Sequence, residues 1–289
     1  MRVVIIGSTG QLGQDLLRVF GDEAVGLTHQ DVDVTDEAGV ASALGSHRPD
    51  WVLNTAAFHR VDDCELDPTT SFAVNATGAL NVARAAADIG SGVVFYSSDY
   101  VFGGEERERD HPYEEGDKID PLSVYGTTKV AGEQLVAQAN ERHLVVRSAG
   151  LYGTATSRKG WTFPELMINK ARSDGAVRVV TDQVLSPTFT ADLAQKTKEL
   201  IEHDAAGLFH LTNAGECSWF EFAREAFDIA GVEAEMEPVD SGQFQQRARR
   251  PPYSALDSAR LEAVGLSPMR PWEEALADYL DQKGVGSDS

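Results

Sequence analysis

The sequence predicts an α/β protein built on a doubly wound parallel sheet, with a second, smaller α/β lobe. The first observation is a β-branched run at residues 2–6 that leads directly into a glycine-rich turn. The second is a regular alternation of short apolar runs with helical patterns, which is typical of parallel strands joined by crossover helices. The third is that this alternation becomes irregular from Leu151 onward, where we expect the second lobe to begin.

Two local patterns define the elements of the first part. Short runs bounded by turn residues are typical of buried strands, whereas apolar residues three and four apart are typical of helices. The predicted strands are residues 2–6, 24–27, 51–54, 92–96 and 144–147. The predicted helices begin near Leu12 and cover residues 36–46, 72–89 and 124–139.

The second part is predicted to leave the sheet and return to it once. Its predicted elements are a loop at 153–160, helices at 161–172, 191–203, 219–230 and 271–281, and strands at 177–180 and 208–211. The helix at 191–203 and the strand after it are expected to rejoin the sheet. We therefore assign residues 1–150 and 182–212 to the first domain, 151–181 and 213–283 to the second lobe, and 284–289 to a disordered tail.

The charge balance excludes one class of partner. The chain has 46 acidic and 25 basic residues among 289, for a formal net charge of −21. Nucleic-acid phosphates are bound by clustered cations, so we expect no nucleic-acid partner. The dispersed acids fit either an ordinary solvated surface or adaptation to high salt, in which counterions screen self-repulsion.

Membrane and redox signals are equally sparse. No apolar stretch is long enough to span a bilayer, and no charged segment followed by an apolar one resembles a signal peptide. Cys64 and Cys217 are far apart and lack the spacing of a zinc site, so we expect reduced thiols. These features predict a soluble cytoplasmic protein without a membrane partner.

The glycine-rich turn predicts a dinucleotide site. Gly7, Gly10 and Gly13 follow a predicted strand and open a predicted helix. Glycines at such a junction let the backbone approach a pyrophosphate, while the helix N-terminus offers free N–H groups to its oxygens. Alone, the motif is as compatible with a simple turn as with a binding site. Its position after the first strand favours the dinucleotide.

A second motif predicts acid–base chemistry. Tyr125 and Lys129 are four residues apart in a predicted helix, which stacks them on one face, and Ser98 ends a predicted strand before them. A nearby ammonium favours the ionised form of a phenol, so we expect Lys129 to lower the pKa of Tyr125. Such a pair alone is more often a surface contact. Together with Ser98 and the glycine turn, it favours reduction of a carbonyl, in which oxygen takes a proton while carbon takes a hydride.

These motifs together resemble the extended short-chain dehydrogenase/reductase family, whose first domain is a Rossmann fold. The resemblance covers nearly the whole chain and, within the family, is to reductases of nucleotide-linked 4-ketosugars. Besides the two motifs above, the segments that carry it are residues 54–57 (NTAA), 75–76 (NA), 96–102 (YSSDYVF), 120–126 (DPLSVYG), 182–183 (DQ), 187–188 (PT) and 250–257 (RPPYSALD).

The resemblance implies that NADP(H) or NAD(H) reduces the C4 ketone of dTDP-4-dehydro-L-rhamnose, giving dTDP-L-rhamnose. Tyr125 would be the proton donor, Ser98 would hydrogen-bond to the same oxygen, and Lys129 would bind the nicotinamide ribose. The implied cofactor site comprises Gly7, Thr9, Gly10, Gln11, Leu12, Gly13, Asp33, Val34, Ala56, Ala57, Asn75, Ser97, Tyr125, Lys129 and Ser148. The implied substrate contacts, in the second lobe's cleft, are Val61, Ser98, Asp99, Tyr100 and Tyr125.

Some positions depart from the family pattern. Gly150 stands where a tryptophan often contacts the sugar, and Phe58 stands where a histidine follows the paired alanines, so we expect a wider or differently closed sugar pocket. Asp15 and Asp192 occur near positions that hold Mg²⁺ at a dimer contact in some members. In so acidic a chain chance explains them better, and we predict no metal site. A homodimer is left open.

Cofactor preference and activity class stay open. The second strand ends in Thr28-His29-Gln30, with neither an acid for the adenosine ribose nor an arginine for a 2′-phosphate, which predicts use of both cofactors or a lean to NADPH. One alternative activity is a sugar-nucleotide epimerase or dehydratase with a tightly held NAD. The other is a non-catalytic protein similar to methionine adenosyltransferase regulatory subunits.

Overall fold

The computed structural model describes residues 1–104, 109–155 and 160–285. The strands are β1 (Val3–Ile6), β2 (Ala24–Leu27), β3 (Trp51–Asn54), β4 (Gly92–Tyr96), β5 (His143–Arg147), β6 (Leu151–Tyr152), β7 (Ala176–Val180), β8 (Val184–Leu185), β9 (Thr188–Phe189), β10 (Gly207–His210), β11 (Cys217–Ser218) and β12 (Glu235–Val239). The α-helices are α1 (Gln11–Phe20), α2 (Glu37–His47), α3 (Val61–Leu66), α4 (Pro68–Phe72), α5 (Ala79–Asp88), α6 (Val124–Ala139), α7 (Phe163–Asp174), α8 (Thr190–Glu202), α9 (Trp219–Ala230), α10 (Ala259–Ala263) and α11 (Trp272–Gln282). Nowhere in the described ranges is a helix both long and apolar enough to cross a bilayer.

Six parallel strands form the main sheet, in the order β10-β5-β4-β3-β1-β2. Val3 of β1 pairs with Ala24 on one side and with Trp51 on the other. The strand order therefore reverses between β1 and β3, and ligands of doubly wound sheets bind in the crevice at that reversal. The predicted fold class is confirmed, and the five predicted strands lie within one residue of their observed bounds.

The helices cover both faces of this sheet because side chains alternate along each buried strand. Val3 and Ile5 belong to a core that includes α1 and α8. Val4 and Ile6 point the other way, into a core shared with α2, α5 and α6. Burial on both faces explains why the strands are continuously apolar in sequence.

The helix predicted at residues 72–89 is more complex than its sequence pattern. It starts earlier, at α4, where Asp67 accepts a hydrogen bond from the backbone N–H of Thr70 at 3.0 Å. Residues Ala73–Gly78 then form a π-helix before α5 begins. A wide π turn of this kind often marks a functional position, and Asn75 lies within it.

The second lobe has its own core, formed by α7, α9, α11 and short strands. The predicted helices and the strand at 177–180 are present, and α8 and β10 return to the main sheet as predicted. The sequence did not predict β12, whose EMEPV sequence is polar and mostly exposed. The domain boundaries stay a prediction. In the predicted tail, Val285 donates its N–H to the Leu280 carbonyl at 2.9 Å, and residues 286–289 lie outside the described residues.

Candidate active site

The glycine-rich turn is shaped by close backbone contacts at the carboxyl end of β1. Gly7 has φ +81°, and a Cβ there would lie 2.6 Å from Thr55 Oγ1. A Cβ on Gly13 would lie 2.6 Å from the Gly7 carbonyl oxygen. Any larger residue would push α1 away from the turn, so glycine at both positions has a steric reason.

The N-terminus of α1 opens directly onto this turn. Gly10 is its N-cap and provides no side-chain hydrogen bond. Within residues 1–104, 109–155 and 160–285, the backbone N–H groups of Gln11, Leu12 and Gly13 have no acceptor. Three free N–H groups at the positive end of a helix dipole form an anion site. The residues present therefore fit the pyrophosphate of a dinucleotide.

The neighbouring loop after β3 completes the crevice. Thr55 donates its hydroxyl to the carbonyl oxygens of Ile6 and Gly7, at 2.8 and 3.1 Å. The N–H of Ala56 is bound by the Asn54 side chain at 3.1 Å, which fixes the half-buried pair Ala56 and Ala57 beside the turn. The strand order thus brings these alanines next to the glycines, as predicted.

Three other predicted cofactor residues are engaged in hydrogen bonds within the protein. Asp33 is exposed, and its carboxylate accepts hydrogen bonds from Thr35, which hold the Asp33 pKa below its usual range. Val34 is buried, and its carbonyl accepts from Asn81 at 3.0 Å. Gln11 uses its side-chain amide on the carbonyls of Gly153 and Ala155, both at 3.2 Å. Exposed Thr9 lies in the turn itself.

The end of β4 carries the predicted catalytic serine. Ser98 donates its hydroxyl to Asp99 Oδ1 at 2.9 Å and accepts from the N–H of Tyr100 at 3.2 Å. Asp99 is 4% exposed, and burial raises its pKa to about 6, although hydroxyls of Ser254 and Ser98 act in the opposite direction. Each oxygen of Asp99 accepts a hydrogen bond from one of these two serines, and its predicted contact with substrate stays a prediction. Ser148, at the end of β5, is buried and accepts from the N–H of Asp99 through its carbonyl.

The predicted pair Tyr125 and Lys129 lies on one face of α6, whose N-cap is Ser123. Burial raises the pKa of Tyr125 above its ordinary value, and the adjacent Ser98 hydroxyl only partly offsets this. Burial also lowers the pKa of Lys129 to about 8, and its ammonium lies 4.5 Å from the centre of the Phe95 ring.

The expectation of a lowered phenol pKa is therefore wrong for this structure. Sequence spacing does not reveal desolvation, which here raises the Tyr125 pKa by more than the Ser98 hydrogen bond lowers it. A phenol with a raised pKa keeps its proton at neutral pH, and a proton donor needs that proton.

Asn75 holds the catalytic helix in place. Its side-chain oxygen accepts from the N–H of Phe58 at 2.8 Å, and its amide donates to the Phe58 carbonyl and to the Thr128 hydroxyl, both at 3.0 Å. Thr128 in turn donates to the Tyr125 carbonyl at 2.7 Å. Asn75 therefore braces α6 and the Phe58 loop through three hydrogen bonds, and its predicted contact with the cofactor stays a prediction.

A buried charged network lies beside Ser97 and Ser98, at the end of the main sheet that we call the catalytic edge. Glu133 of α6 accepts two hydrogen bonds from Arg147 of β5, at 2.9 and 2.7 Å, and one from the Ser97 hydroxyl at 2.5 Å. His210 of β10 lies 3.4 Å from Arg147 Nη1, and its Nδ1 faces the Tyr113 carbonyl at 3.0 Å. Burial lowers the pKa of His210 to about 3, so it is neutral at pH 7. Ser97 therefore contributes to this network through its side chain.

Of the predicted substrate contacts, Ser98, Asp99 and Tyr100 lie near Tyr125. The ring of Tyr100 meets that of Tyr125 edge-on, with centroids 5.7 Å apart. Val61 begins α3, and the next residue, Asp62, binds the Arg250 side chain at 3.0 Å. Gly150 has φ +52°, and a Cβ there would lie 2.5 Å from Leu185 Cδ1. A tryptophan at this position would be strained, so the departure from the family pattern has a structural reason.

Sequence reasoning missed several residues that build this site. The most important are Asp62, Glu133, Arg147 and Ser254, each of which holds a predicted site residue or its neighbour. Only Ser254 had a signal, because it lies in the 250–257 segment that carried the family resemblance.

Asp15 and Asp192 are both engaged by protein groups. Asp15 accepts from Thr190 at 2.5 Å, and Asp192 is bound by Arg270 at 2.8 and 2.9 Å. In the part of the chain that the structure describes, no three or more histidine, cysteine or acidic side chains cluster as metal ligands would.

The chain matches a known protein family over nearly its whole length. The family model described as "RmlD substrate binding domain" matches residues 1–285. The chain is 35% identical over 290 residues to "Spore coat polysaccharide biosynthesis protein SpsK" of Bacillus subtilis (strain 168), covering 99% of both chains. It is 39% identical over 284 residues to a dTDP-4-dehydrorhamnose reductase of Mycolicibacterium smegmatis, covering 96% of this chain and 85% of that one.

A solved structure is similarly close. The dTDP-4-dehydrorhamnose reductase of Bacillus anthracis, in complex with NADP, superposes with a TM-score of 0.92 at 34% identity, covering 97% of this chain and 99% of that chain. Both the architecture and the length of the two chains therefore correspond.

Proposed function

The chain belongs to the RmlD substrate binding domain family, and on that premise we propose that it reduces dTDP-4-dehydro-L-rhamnose at C4, giving dTDP-L-rhamnose. It is an NAD(P)H-dependent oxidoreductase. One observation carries the proposal: the hydroxyl of Tyr125, a half-buried residue, lies beside that of the buried Ser98 at the edge of the sheet that also holds the open N-terminus of α1. Relatives named as dTDP-4-dehydrorhamnose reductases, 39% identical over nearly the whole chain, support the substrate.

Each catalytic side chain has one task in this reaction. When bound, the reduced nicotinamide supplies the hydride. Tyr125 holds its proton at neutral pH and gives it to the C4 oxygen as charge develops there. Ser98, whose one hydroxyl proton is donated to Asp99 Oδ1 in this structure, turns it to the same oxygen when substrate binds. Lys129, whose pKa is about 8, is mostly protonated at pH 7 and binds the nicotinamide ribose as a cation.

The cofactor is NADP(H) or NAD(H). The end of β2 has no arginine that could bind a 2′-phosphate. The Asp31 carboxylate accepts hydrogen bonds from the N–H and the hydroxyl of Thr28, at 2.8 and 2.7 Å. We propose that the protein uses both cofactors or favours NADPH. Ratios of kcat/KM test this, and a preference for NADH of about a hundredfold would contradict it.

A coupled assay tests the proposed function. The ketosugar is made from dTDP-glucose by a dehydratase and an epimerase, and NADPH absorbance is followed after this protein is added. We expect one NADPH to be oxidised per dTDP-rhamnose formed, with no oxidation when the epimerase is left out. NADPH oxidation that never yields a rhamnosyl nucleotide would overturn the substrate assignment.

The two alternatives have distinct outcomes in the same experiment. An epimerase or dehydratase would purify with bound NAD and convert sugar without consuming NADPH. A regulatory subunit would co-purify with a synthetase and turn over no ketosugar. A cytoplasmic location stays a prediction from the sequence, while a homodimer and adaptation to high salt stay open.

A further inference from the structure

Residues 250–254, which we call the strap, run from the second lobe along the catalytic edge. Three contacts attach them to the first lobe. Arg250 Nη2 donates to Asp62 Oδ2 at 3.0 Å, and Ser254 Oγ donates to Asp99 Oδ2 at 2.6 Å. Between them, Pro251 packs so closely on Gly103 that a Cβ on that glycine would lie 2.7 Å from the proline ring.

The Ser254 contact leads directly to the catalytic serine. Asp99 accepts from Ser254 through Oδ2 and from Ser98 through Oδ1. All three residues are less than 8% exposed. Among the residues that the structure describes, Ser254 is the one side chain that donates to Asp99 Oδ2, and the backbone N–H groups of Asp99 and Tyr100 also lower the Asp99 pKa. The orientation of this carboxylate is therefore set from one side by the first lobe and from the other by the strap.

We propose that Ser254 is a positioning residue for the ketone reduction, because it fixes the Asp99 carboxylate that in turn holds the Ser98 hydroxyl beside Tyr125. This role rests on the proposed function. The one hydroxyl proton of Ser98 is donated to Asp99 Oδ1 in this structure and turns to the ketone oxygen when substrate binds, while Ser98 Oγ keeps its place. Without the Ser254 hydroxyl, the carboxylate can shift, and Ser98 Oγ then loses its fixed position. A displaced hydrogen-bond donor stabilises a developing oxyanion less well.

The hydroxyl has a role separable from the fold of the strap. The backbone of Ser254 donates to the Val184 carbonyl at 2.8 Å, and the N–H of Val184 donates to the Pro252 carbonyl at 2.9 Å. These bonds anchor the strap without any contribution from the Ser254 side chain. Removing the hydroxyl should therefore leave the strap in place and remove only its hydrogen bond to Asp99.

Ser254→Ala is the direct test, with Ser186→Ala as its matched control. Ser186 is also buried, and its hydroxyl bonds to the backbone of Leu256 near the strap, at 3.2 and 3.4 Å, without touching Asp99. We expect kcat to fall about tenfold in Ser254→Ala only, the loss of one charge-assisted hydrogen bond. The KM for NADPH should not change in either variant, and Ser254→Thr, which keeps the hydroxyl, should restore kcat.

Titration of Asp99 gives a second readout that needs no substrate. Burial raises its pKa to about 6 and the Ser254 and Ser98 hydroxyls hold it down, so removing Ser254 Oγ should move the pKa upward. Its ionisable neighbours are Tyr100 and Tyr125, and beyond Tyr100 lie Arg250 and Asp62. The carboxyl ¹³C signal, assigned by its loss in Asp99→Asn, measures the shift.

The outcomes separate this proposal from the proposed function. Equal kcat and equal Asp99 titration in Ser254→Ala and Ser186→Ala would overturn the positioning role while wild-type reduction stands. A wild-type protein that reduces no ketosugar would overturn the function and this role together. In that event the ¹³C shift still decides whether the Ser254 hydroxyl controls Asp99.

Discussion

The two lobes build the catalytic edge by different means. The first lobe uses consecutive strand ends, so that the turn after β1, the loop after β3 and the serines after β4 meet because the strands are parallel. The second lobe contributes single side chains from a segment without regular structure, chiefly Arg250 and Ser254. The strand order therefore brings the functional residues to one edge of the sheet. The exact orientation of their side chains depends on contacts between residues that are far apart in sequence.

The largest difference between the lobes should appear in kcat when one tyrosine hydroxyl is removed from each. Tyr125→Phe should lower kcat by about 10²–10⁴-fold, because a positioned proton donor contributes that much. Cofactor binding, measured by fluorescence titration, should persist.

The matched control is Tyr152→Phe in the second lobe. Tyr152 Oη is buried and finds no hydrogen-bond partner among the described residues, so its removal should leave kcat unchanged and stability equal or higher. Comparable kcat losses in both variants would show that the effect of Tyr125→Phe is structural rather than catalytic.

The next largest effect should be on the stability of the first lobe. Arg147→Met leaves the Glu133 carboxylate buried without its bidentate partner, and we expect a loss of about 3–5 kcal/mol in the free energy of unfolding. Arg178→Met removes an exposed ion pair of the second lobe, with Glu237, and should cost about 1 kcal/mol or less. Urea unfolding measures both, and equal losses would contradict the contrast.

Acid should act on the same buried network. The pKa of His210 is about 3 when folded and about 6.5 when exposed, so below pH 6.5 the unfolded chain binds a proton that the folded chain does not. Stability should therefore fall as pH drops through that window, by a few kcal/mol on the order expected from linkage. His210→Gln should flatten the dependence in urea unfolding at stepped pH. An unchanged slope would mean that other groups govern acid sensitivity.

The smallest effects should come from two glycine substitutions, one in α2 and one beside the glycine-rich turn. Gly45→Ala adds a methyl in α2 where nothing lies within 4 Å, and should stabilise the protein by about 0.5–1 kcal/mol. Gly13→Ala forces a contact at 2.6 Å with the Gly7 carbonyl, and should cost about 1–3 kcal/mol and weaken NADPH binding. Calorimetry and cofactor titration distinguish the two, and normal NADPH affinity in Gly13→Ala would contradict the close-packed turn.

The features that the sequence predicted correctly are those that depend on local sequence pattern. The strands of the main sheet were predictable because each is a short buried run, and the glycine turn because steric needs there exclude other residues. The pKa of Tyr125 was predicted in the wrong direction, since burial depends on the whole fold. The Ser254–Asp99 contact spans 155 residues and no spacing rule reaches so far. β12 was missed because it includes two glutamates and Pro238 and is mostly exposed.

A crystal structure with NADP⁺ and dTDP-L-rhamnose tests the central claim most directly. The account predicts that Tyr125 Oη and Ser98 Oγ both lie within hydrogen-bond reach of the sugar C4 oxygen, at about 2.6–3.2 Å. A sugar bound with its C4 oxygen beyond the reach of Tyr125, or a crevice closed by packed side chains, would contradict it.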